Sequence, residues 1–439
     1  METVLIRVLQ LVLSLSILVI IHECGHFIPA RLFKVRVEKF YLFFNPWFSL
    51  WKFRSKRSET EYGIGWLPLG GYVKLAGMID ESMDKEQLKQ PEQPWEFRSK
   101  PALQRLIIMI GGIVMNFILA FFIYAMILLH WGEEYIPFRN YTMGFAFNET
   151  AENAGFRDGD IPLTADGKLL ETIDMKSLMA LAEAAEVTVL RDGAETGITL
   201  PEGFNKVLLD SKGSFIVPRF PFVVSSVNNG SPAKQAGLLA GDSIVGVEGN
   251  LGMAADELTD LFNEHKEQAV AIAFYRNGAL QQTEITPNEN GKIGVIRKSP
   301  VEVYQTIYKR YNFFTSFPAG LSKGVSTMKS YLGQFKYFFT KEGVESLGGF
   351  GTIASIFPPL WDWEAFWSMT AFLSIILGVM NVLPIPALDG GHVLFLLYEI
   401  ISGRKPNEKF LEYAQITGMI IILGLVLYSN GNDILRFLR

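Results

Sequence analysis

Within the first thirty residues the chain carries His22-Glu23-Cys24-Gly25-His26, two imidazoles four positions apart with a carboxylate beside the first. On a helix that spacing turns both rings to one side, where they can share one Zn²⁺. In such a pair the glutamate serves as general base, taking a proton from the attacking water and handing it to the leaving amine. A zinc centre that works on substrate needs a third protein ligand and one position left open. Asp389, in Leu388-Asp389-Gly390-Gly391-His392, is the best candidate, because it follows a proline-broken helix at membrane depth. His130 and His265 read better as an interfacial and a surface histidine. His392 is either a support for a ligand or a further interfacial histidine. Asn381, eight positions before Asp389, offers an amide to a substrate backbone or an oxyanion.

These residues need a membrane to hold them. Of 439 residues 49% are hydrophobic and 19% charged, and the single cysteine, Cys24, excludes an internal disulfide. The net charge of -5 and the lack of a concentrated basic face exclude nucleic acid as the main partner. Four stretches are apolar enough to cross a bilayer, about Val4–Ile28, Leu106–Leu129, Phe366–Val382 and Tyr413–Tyr428. Three ionisable residues in one turn of the first span are costly in hydrocarbon and mark function. Broken backbone before Asp389 is tolerated at that depth only where protein or water surrounds it. Basic residues follow the first span (Arg31, Lys34, Arg36, Lys39), precede the second (Lys89, Arg98, Lys100, Arg105) and sit between the last two (Arg404, Lys405, Lys409), which puts those loops in the cytoplasm. The acidic segment Trp131–Lys298 and both termini then face the other side.

That segment contains a repeat. Ala154-Gly-Phe-Arg-Asp-Gly-Asp-Ile161 returns as Ala236-Gly-Leu-Leu-Ala-Gly-Asp-Ser-Ile244, each followed by a strand, a glycine turn, an amphipathic helix and a second strand. The pattern resembles the circularly permuted PDZ domains of bacteria, which bind extended peptide at a sheet edge. Pro162 predicts a shorter or edge-lying strand in the first copy.

Together, His22-Glu23-x-x-His26 and Asn381-x-x-Pro384-x-Pro386-x-x-Asp389-Gly390 resemble the site-2 proteases, a family of intramembrane zinc metalloproteases, and the repeat resembles the tandem PDZ pair of the bacterial RseP type. The likeness covers almost the whole chain. Gly63–Leu75, with Gly70, Gly71 and Tyr72, looks like the family's membrane-associated β-hairpin region, whose edge holds substrate extended. Gly111-Gly112-Ile113 stands where the family has Ala-Gly-Pro, and Gly348-Gly349-Phe350 where it has Gly-Gly-Pro. The resemblance implies a zinc endopeptidase of the inner membrane that cuts single-span proteins within their membrane helix, anti-sigma factors or remnant signal peptides, with the PDZ units screening substrates. The competing readings are a prenyl-protein peptidase type of membrane protease and a non-enzymatic PDZ scaffold with a vestigial zinc site.

The expected architecture is therefore a polytopic α-helical membrane protein of four spans. Residues 1–30 form the first span, 31–105 a cytoplasmic loop with the membrane-associated β region, and 106–130 the second span. PDZ-like units occupy 140–205 and 215–298, and 299–360 is an amphipathic stretch along the membrane surface. The broken third segment is 364–402 and the fourth span 410–430.

Overall fold

A computed structural model describes residues 2–56, 58–68, 70–78, 91–210, 214–334 and 347–438. The chain divides into two compact units, one of Met1–Gly132 with Arg310–Arg439 and one of Glu133–Lys309. Four helices are long and apolar enough to cross a membrane, Glu2–Leu32, Ala102–His130, Trp363–Val382 and Lys409–Arg436, in agreement with the four expected spans.

The first unit begins with α1 (Glu2–Leu32), 31 residues long, which at 1.5 Å per residue reaches about 46 Å, beyond the hydrocarbon core. A four-stranded sheet follows, built of β1 (Val37–Leu42), β2 (Phe44–Arg54), β3 (Glu61–Leu67) and β4 (Tyr72–Leu75) in the order β2-β3-β1-β4. β4, antiparallel to β1, is therefore an edge strand. Next comes α2 (Ala102–His130), which packs closely along α1. Glycine permits that approach. A Cβ on Gly25 would fall on the Gly111 carbonyl and 2.6 Å from the Gly112 Cα, and a Cβ on Gly111 would fall on the Gly25 carbonyl. The departure from the family pattern at Gly111, in the second span, thus lies where backbone meets backbone.

The second unit holds two lobes that repeat one another. In the first, β5 (Phe145–Phe147) leads to β6 (Ile161–Ala165), β7 (Lys168–Leu169), α3 (Met175–Glu183), β8 (Glu186–Arg191), β9 (Ala194–Thr199) and β10 (Ile216–Pro218); the sheet order is β9-β8-β6-β7, and β5 pairs with β10. In the second, β11 (Phe222–Val227), β12 (Ser243–Val247), α4 (Ala255–Glu264), β13 (Val270–Arg276), β14 (Ala279–Ile285) and β15 (Val295–Arg297) give the order β14-β13-β12-β11-β15. The equivalence extends to single atoms. Arg191 forks onto Asp160 at 2.8 and 2.7 Å and donates to the Gly155 carbonyl at 2.8 Å. Arg276 does the same to Asp242 at 2.8 and 2.6 Å and to the Gly237 carbonyl at 2.8 Å. Each aspartate also accepts a backbone N–H, from Arg157 or Leu239. Burial works against the charge of Asp242, yet these donors and the guanidinium hold its carboxyl below the usual carboxylate range.

Of the two outcomes expected at Pro162, the strand is not shortened but lies at an edge there. β6 has the same five residues as β12 despite Pro162, which faces Val189 just before a register shift; the corresponding shift recurs between Ile244 and Gly246. Proline is tolerated because β5 pairs away with β10 and asks β6 for no ladder bond there. The first core also reaches past 140–205, taking in Ile136, Phe138, Ile216 and Tyr304.

Back in the first unit, α5 (Phe313–Gln334) follows, then α6 (Phe350–Ser355), α7 (Trp363–Val382), α8 (Asp389–Ser402) and α9 (Glu408–Leu438). The stretch expected to lie along the membrane surface is seated, as α5, against α2: Gly320 abuts Ala125 and Gly324 abuts the Phe121 ring. This small-xxx-small spacing lets helix backbones approach in lipid. Residues 335–346, within that stretch, lie outside the described set. Asp433 of α9 accepts from the backbone of Gly349 and Thr352, and Asn430 from Phe350, so α9 caps the start of α6 at Gly348-Gly349. Arg105 of α2 pairs with Glu399 of α8, and Gly403 ends α8 at φ 68.

A candidate metal centre between the spans

Three helices bring the chemistry together. His22 and His26 share one face of α1, and Asp389 is the first residue of α8, delivered there by the break after α7. Gly390 makes the fold-back possible, since a Cβ on it would strike the carbonyls of Leu383, Val382 and Asn381. The Nε2 atoms of His22 and His26 lie 3.2 and 3.3 Å from Asp389 Oδ2 and 3.3 Å from each other. All three residues form the metal-capable cluster among the described residues, with ligand atoms within 4.8 Å of one another.

Who holds the protons decides what this cluster is. His26 Nδ1 donates to the Ile108 carbonyl of α2 at 2.9 Å, which leaves its Nε2 with a free electron pair. His22 Nδ1 lies 3.0 Å from the side-chain amide of Asn116, also on α2. A flip of that amide presents Oδ1, a buried atom otherwise without a partner, to Nδ1–H and frees the second Nε2 in the same way. Asp389 Oδ2 is likewise buried with no hydrogen-bond donor, despite two nitrogens at close range. With both Nε2 atoms unprotonated, three electron-pair donors face one another, an arrangement that is repulsive unless a cation sits among them. Their spacing suits zinc: ligand bonds of about 2.0–2.1 Å in a tetrahedron put ligand atoms about 3.3–3.4 Å apart.

Glu23, buried among them, accepts from the backbone of Val73 in β4. The expected β-region residues stand here as well. Gly71 packs on Val19, the Tyr41 carbonyl and Glu23 Cγ, a place too tight for any Cβ. Gly70 takes φ 148 beneath the Phe44 ring. Tyr72 stacks on Tyr41 and Phe44, with ring centroids at 5.3 and 6.1 Å, and donates to Asn45 at 2.9 Å. Asn381 is buried in the last turn of α7, its carbonyl against Gly390. His130 stacks edge-on against Trp131 and His265 bonds its own helix at Leu261, so neither joins the cluster.

The supporting residues were only partly legible beforehand. Asn116 is the one strongly polar residue of Leu106–Leu129, but the sequence assigns it no partner. Nothing in the local pattern pointed to the Ile108 carbonyl or to Gly112, where a Cβ would fall on His26 Nε2.

Comparison with known proteins matches the model of peptidase family M50 to residues 10–425. The regulator of sigma E protease of Haemophilus influenzae is 29% identical, over 97% of this chain and 98% of its own length. The regulator of sigma-E protease RseP of Escherichia coli is 28% identical over 95% and 97%, and a Neisseria meningitidis protein described as a zinc metalloprotease is 28% identical over 98% and 99%. Among solved structures, the PDZ domain of an SdrC-like protein of Listeria monocytogenes aligns with 20% of this chain and 93% of its own, at 25% identity and a TM-score of 0.16.

Proposed function

This chain belongs to peptidase family M50 and is an intramembrane zinc metalloprotease, and from that premise we propose that His22, His26 and Asp389 hold the zinc while Glu23 is the catalytic base. The observation that carries this reading is the convergence of His22 Nε2, His26 Nε2 and Asp389 Oδ2 at tetrahedral spacing beside a buried carboxylate. Zinc, when bound, supplies a Lewis acid that activates water and polarises the peptide carbonyl. Glu23 takes the proton of the attacking water and returns it to the leaving nitrogen. Val73 and Gly71 fix that carboxylate against β4, so proton acceptor and sheet edge are held together.

The outer side of β4, an edge strand among the described residues, is suited to hold a substrate backbone extended beside Glu23, with Gly70, Gly71 and Tyr72 along its approach. That mode requires a membrane helix that can unwind, which fits single-span proteins. Anti-sigma factors are the substrate class proposed here, in keeping with relatives named as regulators of sigma-E, and remnant signal peptides are a second. Asn381, at the end of α7, serves as the amide that steadies the substrate or the oxyanion. The two lobes act as PDZ domains on the extracytoplasmic side, where both termini also lie, and screen substrates before they reach the spans.

The deciding experiment uses purified full-length protein in detergent. Glu23→Gln is expected to keep zinc and lose cleavage of a single-span substrate, whereas Asp389→Ala loses both. Normal cleavage by Glu23→Gln would refute the assignment.

A further inference from the structure

The turn that delivers Asp389 has an uncommon residue at its tightest point. Ile385 to Leu388 close on themselves, Leu388 N–H donating to the Ile385 carbonyl at 3.0 Å. Pro386 takes the second position and Ala387 the third, where φ is 79°. This is the type II pattern, which suits proline second and calls for glycine or asparagine third. An alanine there places its Cβ in the sparsely allowed left-handed region, and such a conformation persists only where the surroundings impose it.

The surroundings come from the last span. Gln415 of α9, only 6% exposed, accepts the Ala387 N–H on Oε1 at 3.2 Å. Gly418, three positions on and so on the same helix face, lies directly on the Pro386 carbonyl, where no Cβ would fit. From the other side Gly391 meets the turn, its Cβ position 2.6 Å from the Ile385 carbonyl oxygen and 2.7 Å from the Pro386 Cα. The turn is therefore gripped between α8 and α9, two residues before the carboxylate.

We propose that Gln415 is a positioning residue for the metal centre: by holding Ala387 in its strained conformation, with Gly418 seating Pro386, the fourth span fixes where Asp389 enters the ligand set without touching it. The inference rests on the reading of Asp389 as third ligand, so its test carries a control for that reading. Zinc affinity of the full-length protein is measured by chelator competition for wild type, Asp389→Asn, Gln415→Leu, Ala387→Gly and the Gln415→Leu/Ala387→Gly pair. Gln415→Leu is expected to weaken zinc about fivefold to tenfold, the loss of one buried hydrogen bond. Ala387→Gly alone should change affinity by no more than about twofold, and combined with Gln415→Leu should restore most of the loss, because glycine accepts this φ without strain. That non-additive rescue is what a general loosening of α9 would not produce. Gly418→Ala, which presses on the Pro386 carbonyl from the same face, is expected to weaken zinc as well and serves if Gln415→Leu fails to accumulate. Zinc retained by Asp389→Asn would remove the ligand reading itself. Zinc lost by Asp389→Asn but held normally by Gln415→Leu or Gly418→Ala, or a double variant no better than the single, would overturn the proposal while leaving that reading in place.

Discussion

Gly112→Ala adds one methyl group to the wall of the metal site. The new Cβ falls on His26 Nε2, 2.7 Å from His26 Cε1 and 2.8 Å from His22 Cε1, where ordinary contact begins at 3.4 Å. Neither imidazole can yield easily, because His26 is held to the Ile108 carbonyl and His22 to Asn116, both on the same helix as the new methyl. To clear the rings α2 must back away from α1 by about 1 Å, or the rings must leave their hydrogen bonds. Misplacement on the order of 1 Å in a catalytic constellation costs roughly a hundred-fold in rate, and a similar displacement of ligands loosens the metal. The expected result is zinc content well below one per chain by elemental analysis and cleavage of a single-span substrate in proteoliposomes reduced by about two orders of magnitude. Gly424→Ala, whose Cβ would meet nothing within 4 Å, is the matched control in another span and should behave as wild type. Full zinc and normal cleavage in Gly112→Ala would mean that α1 and α2 do not pack as described, and the ligand geometry would fall with them.

Other consequences can be checked separately. Asn116→Asp should keep zinc, since a carboxylate oxygen still accepts from His22 Nδ1–H, whereas Asn116→Leu should weaken it by about tenfold or more in chelator competition. The carboxyl of Asp242 sits below its ordinary range, so its contribution to stability is present above about pH 4 and fades as pH falls through the lowered value. Arg276→Gln should therefore raise the pH at which amides of Leu238–Val247 lose hydrogen-exchange protection; an unchanged acid profile would show that the fork adds nothing. Deleting Thr142–Lys298 should widen the range of single-span substrates cut while hydrolysis continues, and complete loss of cleavage would argue against a screening role for the lobes.

Local pattern made half of this site readable and left the rest dark for a physical reason. The four-residue spacing of His22 and His26 fixes their shared face whatever surrounds them, and Pro384 and Pro386 announce a break wherever they fall. Which face of a second helix meets that first face depends on register between segments far apart in the chain, and register has no local signature. The approach of Gly25 to Gly111, the docking of α5 on α2 through Gly320 and Gly324, and the pairing of Arg105 with Glu399 are of that kind. So is Gln415, an ordinary polar residue in an apolar run until the Ala387 turn is laid against it. In the lobes the repeat was visible in Gly-Asp-Ile and Gly-Asp-Ser-Ile, but the arginine that forks onto each aspartate comes some thirty residues later and emerges only when β8 and β13 fold back.

The separation of His22 from Asp389 in the chain also sets a timetable for the nascent protein. Synthesis delivers His22, His26 and Glu23 early, then the sheet, the second span and both lobes, and Asp389 only after α7 has emerged. The residues that grip its turn, Gln415 and Gly418, arrive later still. If His22, His26 and Asp389 are the ligands, the chain spends most of its own translation as a membrane protein with two histidines in place and the third ligand still to come. On the proposed ligand set, the zinc site can close only once α8 and α9 have joined the earlier helices.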